Sequence, residues 1–154
     1  PEFCFYGPMG YDIGNVIANM IFAWANGDAA GAADFCKWVE DVLVDVINMT
    51  KEKMEKYYDE HVTDTMCRNE LYKKYYMDTI IEDTSAVAGL GLIRRIVGMA
   101  NVKDITTIAD EAKRARAEKI CITAAIDFIK NRSDKKCGKC FLKTLKDAIA
   151  EVDA

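Results

Sequence analysis

The sequence is poor in proline and has no long hydrophobic run. Both of its prolines lie within the first eight residues, so no proline interrupts a helix in the rest of the chain. The longest apolar stretch, residues 16–25, is only ten residues long and contains Asn19, which is too little to span a bilayer. Beyond the first few residues, no segment alternates polar and apolar side chains. We therefore expect neither a membrane partner nor an extensive sheet.

The chain also lacks an excess of positive charge. Its 25 acidic residues outnumber its 21 basic residues, which gives a formal net charge of −4. Nucleic-acid-binding domains usually present a basic surface, so a nucleic-acid partner is not expected. With 51% hydrophobic and 30% charged residues, the 154-residue chain has the composition of a single globular domain.

The cysteines favour a reducing compartment. Cys36 and Cys121 lie within helical apolar patterns, where a reduced core thiol is expected. Cys137 and Cys140 have the CxxC spacing, but no second pair with matching spacing completes a zinc site. We interpret these two as surface thiols, with a metal or redox role as the less favoured alternative. A cytoplasmic location follows, because secreted domains normally bond their cysteines.

Apolar residues recur with the helical period along most of the chain. The spacing predicts a first helix that begins at Asp12 and is stopped by Asn26 and Gly27. Further helices are predicted at about residues 35–58, 64–82, 84–97, 110–131 and 138–152. The predicted fold class is mainly α, with at most a short extended segment at residues 2–6.

Three side-chain caps are predicted for these elements. Thr84 or Ser85 is the expected cap of the fourth helix, Asp104 of a short turn, and Asp110 of the long fifth helix. The inward face of that fifth helix is predicted to carry three isoleucines, Ile122, Ile126 and Ile129.

The first twelve residues contain an acid, a tight turn and a second acid. Glu2 follows Pro1, residues 7–10 have turn composition, and Asp12 opens the predicted first helix. Carboxylates are the hard ligands that Mg²⁺ needs in phosphoryl transfer from ATP, although an isolated Glu is usually only solvated. Asp12 is also a candidate N-cap, since its carboxylate can accept backbone N–H bonds.

A second feature is a pair of arginines within the apolar stretch of residues 89–100. Arginine is rarely buried without a partner, so Arg94 and Arg95 are both expected to meet an anion or a carboxylate. Successive residues on a helix point about 100° apart, so one guanidinium can face a site while the other meets a structural acid. Phosphate or sugar oxygens are natural targets for such groups. A salt-bridged surface pair is the alternative.

The only histidine, His61, follows a polar stretch at a predicted helix end. No serine or cysteine has a spacing that would complete a catalytic triad with it. We predict that it is a surface residue. The tyrosines at positions 72–76 lie at helical spacing, which favours packing over a stacking platform.

Both features resemble the S-methyl-5-thioribose kinases. The run Pro-Glu-Phe-Cys-Phe-Tyr-Gly-Pro-Met-Gly-Tyr-Asp-Ile-Gly at residues 1–14 is similar to the metal-binding segment Asp-Pro-Glu-Phe-x-Phe-Tyr-Gly-Pro-Met-Gly-Phe-Asp-Ile-Gly of that family. The run Arg-Arg-Ile-Val-Gly at residues 94–98 is similar to one that the family places at its substrate pocket. The resemblance is specific over residues 1–14, good over residues 94–104, and elsewhere limited to helical character.

The resemblance implies the helical C-terminal lobe of a protein-kinase-like fold, in the aminoglycoside phosphotransferase superfamily. The implied reaction is phosphorylation of 5-methylthioribose by ATP at its anomeric hydroxyl, which gives 5-methylthioribose 1-phosphate in methionine salvage. Glu2 would help to hold Mg²⁺, Arg94 and Arg95 would bind the substrate, and Asp12 would brace the catalytic loop.

The resemblance also implies that part of the enzyme is missing from this chain. The catalytic base, the metal-binding Asp and the nucleotide-binding lobe are expected upstream. We therefore expect no catalytic base within residues 1–154 and no kinase activity from these residues alone. A homodimer is a further implication.

Two other interpretations stay open. One is another kinase of the same superfamily that phosphorylates an aminoglycoside, choline or a different sugar. The other is a non-enzymatic, all-α interaction module whose first twelve residues match by chance.

Overall fold

The computed structural model describes residues 6–154, and every regular element among them is helical. This confirms the prediction of a mainly α fold. The short extended segment predicted at residues 2–6 falls almost entirely outside the described residues. The elements are α1 (Gly10–Ala29), α2 (Ala33–His61), α3 (Glu70–Ile96), the short α4 (Lys103–Thr106), α5 (Glu111–Lys130), a 3₁₀ turn (Arg132–Asp134) and α6 (Gly138–Asp153).

Helix α1 lies at the centre of the fold and packs most extensively on α3, with α2 and α5 on its other sides. Gly10 meets α3 at Thr84, and Ala18 meets it further along at Gly91, so α1 and α3 run in the same direction. One continuous apolar core joins these helices to α6. Its largest fully buried side chains are Phe22, Phe128, Phe141, Ile17, Ile21, Leu43, Ile47, Leu92, Ile120 and Leu145. Within residues 6–154, no helix combines the length and apolar character that a membrane span requires.

Helix α1 begins earlier than predicted. Its first residue is Gly10 and its N-cap is Met9, which makes no side-chain capping bond. Asp12 therefore lies inside the first turn, and its prediction as the N-cap is wrong. Its carboxylate is still exposed near the positive end of the helix dipole, a mildly favourable place for an acid.

The helix also continues past the predicted stop at Asn26 and Gly27. Gly27 is buried, and a Cβ atom there would lie 2.6 Å from Cδ1 of Phe35 on α2. Asn26 donates a hydrogen bond through Nδ2 to the backbone oxygen of Asp104, at 2.6 Å. Both residues are held by tertiary contacts, and these contacts override the weak helix propensity of Asn and Gly.

Helix α3 is a single helix where two were predicted. Thr84 and Ser85 lie in its middle and are fully buried, so the prediction that one of them caps a helix is wrong. Thr84 Oγ1 donates to the carbonyl oxygen of Ile80 at 2.8 Å, and Ser85 Oγ donates to that of Phe128 on α5, also at 2.8 Å. The actual N-cap of α3 is Asn69, whose side chain accepts two backbone N–H bonds of the first turn.

The cap of α5 is confirmed, whereas that of the short turn is not. Asp110 Oδ1 accepts the backbone N–H groups of Ala112 and Lys113 at 2.9 and 3.0 Å. Helix α4 instead begins after Val102, which places Asp104 inside the helix.

The inward face of α5 also differs from the prediction. Ile126 is 44% exposed, and Ile122 and Ile129 are only partly buried. The fully buried positions are Ile120, Cys121, Ala124, Ala125 and Phe128, and three of these five residues are small. Small side chains lie inward because α3 approaches α5 closely at Gly89.

Alanine at Gly89 is expected to destabilise the protein, and alanine at Gly91 is not. A Cβ atom on Gly89 would lie 2.7 Å from the backbone oxygen of Ala125, so α3 and α5 would have to move apart. Overpacking of this kind costs about 1–3 kcal/mol, and a gain of about 1 kcal/mol in helix propensity offsets part of it. At Gly91 the Cβ atom would meet two side-chain atoms and no backbone atom: the Cβ atom of Ala18 at 3.1 Å and Oδ1 of Asn15 at 3.9 Å.

Urea unfolding of the two variants checks this prediction, because they change the same residue type in the same helix. We expect a lower midpoint for Gly89→Ala and a midpoint close to that of the wild type for Gly91→Ala. Equal midpoints for the two variants would contradict the close contact between α3 and α5.

Candidate functional site

The start of α1 is held against the middle of α3. Gly10 is buried there, and a Cβ atom on it would lie 2.5 Å from the backbone nitrogen of Thr84. Asp12 follows in the first turn of α1, with its side chain exposed. Glu2, the predicted Mg²⁺ ligand, lies outside the described residues. In the part of the chain that the structure does describe, no group of three or more His, Cys, Asp or Glu side chains could hold a metal ion.

Arg94 and Arg95 lie in the last turn of α3, and both are exposed. Arg95 donates through Nη1 to the backbone oxygen of Ala100, at 3.2 Å. Among residues 6–154, neither guanidinium forms an ion pair with a carboxylate. The structural acid that one of them could meet is therefore not found within residues 6–154. Among the described residues, the two positive charges have no carboxylate partner.

The surroundings of this arginine pair are apolar and also exposed. Leu90 is 58% exposed and Val97 is 71% exposed, and with Arg94 they recur at spacings of four and three residues. This spacing places the three side chains on one face of the last turns of α3. Met99, in the loop that follows, is fully exposed. The end of α3 thus offers cationic hydrogen-bond donors beside apolar side chains.

The start of α1, which carries Asp12, and the arginine pair lie at different positions along the axis of α3. Gly10 packs at the level of Thr84, and Arg94 comes ten residues later in the same helix. At a rise of 1.5 Å per residue, the separation along the helix axis is about 15 Å. Within the described residues, Asp12 and the arginine pair therefore do not meet in one constellation.

Comparison with known proteins identifies the family. No family model matches the chain. Methylthioribose kinase 1 of Oryza sativa subsp. japonica is 33% identical over 151 residues, which cover 86% of this chain and 34% of the rice protein. The methylthioribose kinase of Bacillus pumilus (strain SAFR-032) is 31% identical over 130 residues, covering 84% of this chain and 32% of that protein. The chain belongs to the methylthioribose kinase family.

This membership rests on most of the chain. A third relative, the methylthioribose kinase of Escherichia coli O45:K1 (strain S88 / ExPEC), is 29% identical over 146 residues, or 85% of this chain and 35% of its own length. Similarity of this extent shows that a chance match over the first twelve residues is the wrong interpretation. The chain spans about a third of the length of these relatives and matches their C-terminal part.

This member of the methylthioribose kinase family also has a cavity that its sequence did not predict. The cavity has a volume of about 520 Å³ and opens where the end of α2 faces the start of α3. Its lining is mostly aromatic and thioether side chains: Met9, Met54, Tyr57, Tyr58, His61, Val62, Cys67, Tyr72, Tyr76 and Met77. The tyrosines were expected to serve packing alone, since helical spacing does not reveal that two helix ends leave a gap between them.

Two of the four tyrosine hydroxyls around this cavity form hydrogen bonds within the described residues. Tyr58 donates its hydroxyl to the backbone oxygen of Cys67 at 2.6 Å, and Tyr76 donates to Sδ of Met9 at 2.8 Å. Burial raises the pKa of the Tyr58 hydroxyl above its ordinary value. His61 lies on the surface at the rim, as predicted, with its ring centroid 5.2 Å from that of Tyr57.

Proposed function

We propose that this chain is the C-terminal part of a kinase that transfers the γ-phosphate of ATP to the anomeric hydroxyl of 5-methylthioribose. The product would be 5-methylthioribose 1-phosphate, an intermediate of methionine salvage. Family membership supports the reaction class, and the exposed arginine pair at the end of α3 is the observation that carries the substrate assignment. A cytoplasmic location and a homodimer belong to the same proposal.

The arginine face has chemistry that suits this substrate. 5-Methylthioribose has an apolar methylthio group at one end and ring hydroxyls at the other. Arg94 and Arg95 can donate charge-assisted hydrogen bonds to sugar oxygens and to the phosphoryl group as it arrives. Leu90 and Val97, exposed on the same face as Arg94, provide apolar contact for the methylthio end.

Arg94 and Arg95 need no rearrangement of the protein core to act in this way. Both are exposed and neither is tied to a described carboxylate, so binding a ligand would not first require an ion pair to break. Breaking an existing pair would subtract from the binding free energy. The lack of a structural partner is therefore consistent with a ligand-binding role.

Glu2 is the proposed Mg²⁺ ligand, because a carboxylate is the donor that Mg²⁺ prefers. A single carboxylate does not complete a magnesium site, and residues 6–154 offer no metal-binding cluster. Further ligands would come from residues that correspond to the rest of the relatives' length. When bound, Mg-ATP supplies the phosphoryl group and neutralises part of its charge.

Asp12 is proposed to support the catalytic loop through hydrogen bonds to its backbone. Its carboxylate is exposed on the first turn of α1, two residues after Gly10, which packs on α3. The base that orients the sugar hydroxyl is placed outside residues 1–154. We accordingly expect these residues to form one domain that is inactive alone and works with the remaining two thirds seen in its relatives.

The proposal is tested with the full-length product of the gene, 5-methylthioribose and Mg-ATP. Phosphorus NMR of the product identifies the phosphorylated position, because a phosphate on the anomeric oxygen couples to the anomeric proton. Choline, an aminoglycoside and ribose serve as competing acceptors. We expect an anomeric phosphate on 5-methylthioribose as the main product. Preference for any other acceptor would contradict the proposal.

A further inference from the structure

Two cysteines that are three residues apart have their sulfur atoms in contact at the start of α6. Cys137 is the N-cap residue of this 16-residue helix, and Cys140 lies in its first turn. The distance between the two Sγ atoms is 3.2 Å, and both side chains are only partly buried. A disulfide needs a separation of about 2.05 Å, so the sulfurs would have to approach by roughly 1 Å.

The turn that carries the pair is fixed by contacts with α2. The backbone N–H of Gly138 donates to Oδ1 of Asn48 at 2.9 Å. Gly138 itself is buried so closely against α2 that a Cβ atom would lie 2.3 Å from the backbone oxygen of Val44. The turn is therefore held in one position, and the contact between the sulfurs is a feature of the packed structure.

Two lysines directly before the pair attach the same turn to neighbouring helices. Lys135 is buried and pairs with Asp127 of α5 at 2.5 Å. Lys136 bridges to Glu82 of α3 at 2.8 Å. Of the two ammonium groups, that of Lys135 acts on Cys140 through its charge. A nearby cation favours a thiolate over a thiol.

The thiols of the chain differ accordingly in acidity. Burial opposes ionisation of Cys140, but its hydrogen bond with Cys137, the backbone groups of the turn and the charge of Lys135 together hold its pKa below the ordinary value. Burial raises the pKa of Cys121 to about 12, and burial with nearby acids raises that of Cys36. A buried thiol with a raised pKa is chemically inert.

We propose that Cys137 and Cys140 form a redox-active dithiol that exchanges with low-molecular-weight disulfides of the glutathione type. This site goes beyond the proposed kinase function and does not depend on it. The pair lies at the junction of α2, α3, α5 and α6, and the arginine pair lies at the far end of α3.

The exchange proceeds in two balanced steps. The Cys140 thiolate attacks one sulfur of the small disulfide, which forms a mixed disulfide at Cys140 and releases one small thiolate. Cys137 then loses its proton and attacks the Cys140 sulfur, so that the mixed disulfide breaks and a second small thiolate leaves and is protonated. The two cysteines are oxidised to one disulfide, and the small disulfide is reduced to two thiols.

Oxidised glutathione is the probe, and intact-protein mass spectrometry after acid quenching is the readout. The wild type is expected to lose the mass of two hydrogen atoms, with no glutathione adduct on peptides that contain residues 137–140. The second step is intramolecular between sulfurs already in contact, so the mixed disulfide should not accumulate. In Cys137→Ser the reaction should stop at a glutathione adduct on Cys140.

The matched control is the double variant Cys4→Ser/Cys67→Ser, which leaves the pair intact. It should form the internal disulfide at the wild-type rate, and reduction by dithiothreitol should reverse the change in every case. Stable, separate adducts on Cys137 and Cys140 of the wild type would overturn the proposal. So would a pair that reacts no faster than Cys67, which is partly buried and has no described cysteine beside it.

Discussion

Replacing Arg94 and Arg95 together with alanine is expected to lower kcat/KM for 5-methylthioribose by about 10³-fold in the full-length enzyme. Each charge-assisted hydrogen bond contributes about 1.5–3 kcal/mol, and each 1.36 kcal/mol corresponds to a tenfold change in rate. Both side chains are exposed and free of described ion pairs, so the fold should persist in the variant. Steady-state kinetics together with a thermal melt test both parts of this prediction.

Arg68→Ala is the matched control for this loss. Arg68 is also exposed and also donates to a backbone oxygen, that of Val62, but it lies beyond the opposite end of α3. Its removal should leave kcat/KM unchanged. Lysine at positions 94 and 95 should restore only part of the activity, because an ammonium keeps the charge but not the planar fork of a guanidinium. If the double alanine variant had the kinetics of the wild type, the arginine pair would not be part of the substrate site.

Phe128→Ala is expected to lower the free energy of unfolding by about 3–5 kcal/mol, as is usual when a fully buried aromatic side chain is truncated. Phe128 of α5 is completely buried, and its ring lies 5.3 Å from that of Phe141 on α6. The change would leave a cavity between these helices and remove an aromatic pair. Urea unfolding followed by circular dichroism measures the loss.

Ile126→Ala provides the comparison within the same helix. Ile126 is 44% exposed, two residues before Phe128, so its truncation should cost no more than about 1 kcal/mol. A loss at position 126 as large as that at position 128 would mean that the inward face of α5 is assigned incorrectly.

Local signals predicted helices well wherever no tertiary contact competed with them. The cap at Asp110 and the helix from Gly138 were found because an Asx cap and an apolar stripe act within a few residues. The predicted breaks at Gly27 and at Thr84 were wrong for one shared reason. Gly27 packs against Phe35 of α2 and Thr84 packs against Gly10 of α1, and no local pattern reveals either contact.

The prediction of which face of α5 is buried was wrong for a related reason. Hydropathy favours isoleucine over alanine as a core residue, so the isoleucines were placed inward. The observed helix instead buries small residues such as Ala124 and Ala125, because Gly89 brings α3 close to it. The distance between two helices is not encoded in either helix alone.

The residues of the candidate site were proposed from the sequence, whereas their setting is visible only in the structure. Resemblance to a family selected Arg94 and Arg95, with a salt-bridged surface pair as the alternative. The structure places them at an exposed helix end, beside Leu90 and Val97. The spacing of Cys137 and Cys140 was visible in the sequence, but the contact between their sulfurs depends on how Gly138 packs on α2.

Hydrogen exchange of the full-length enzyme, with and without 5-methylthioribose and a non-hydrolysable ATP analogue, tests the location of the substrate site most directly. We predict that the substrate slows amide exchange in residues 92–102, at the end of α3 and the following loop. This protection should vanish in the double alanine variant. The opposite result would be slower exchange at residues 54–72, around the tyrosine-lined cavity, and no protection at residues 92–102. It would contradict this location and indicate that the substrate binds at the other end of α3.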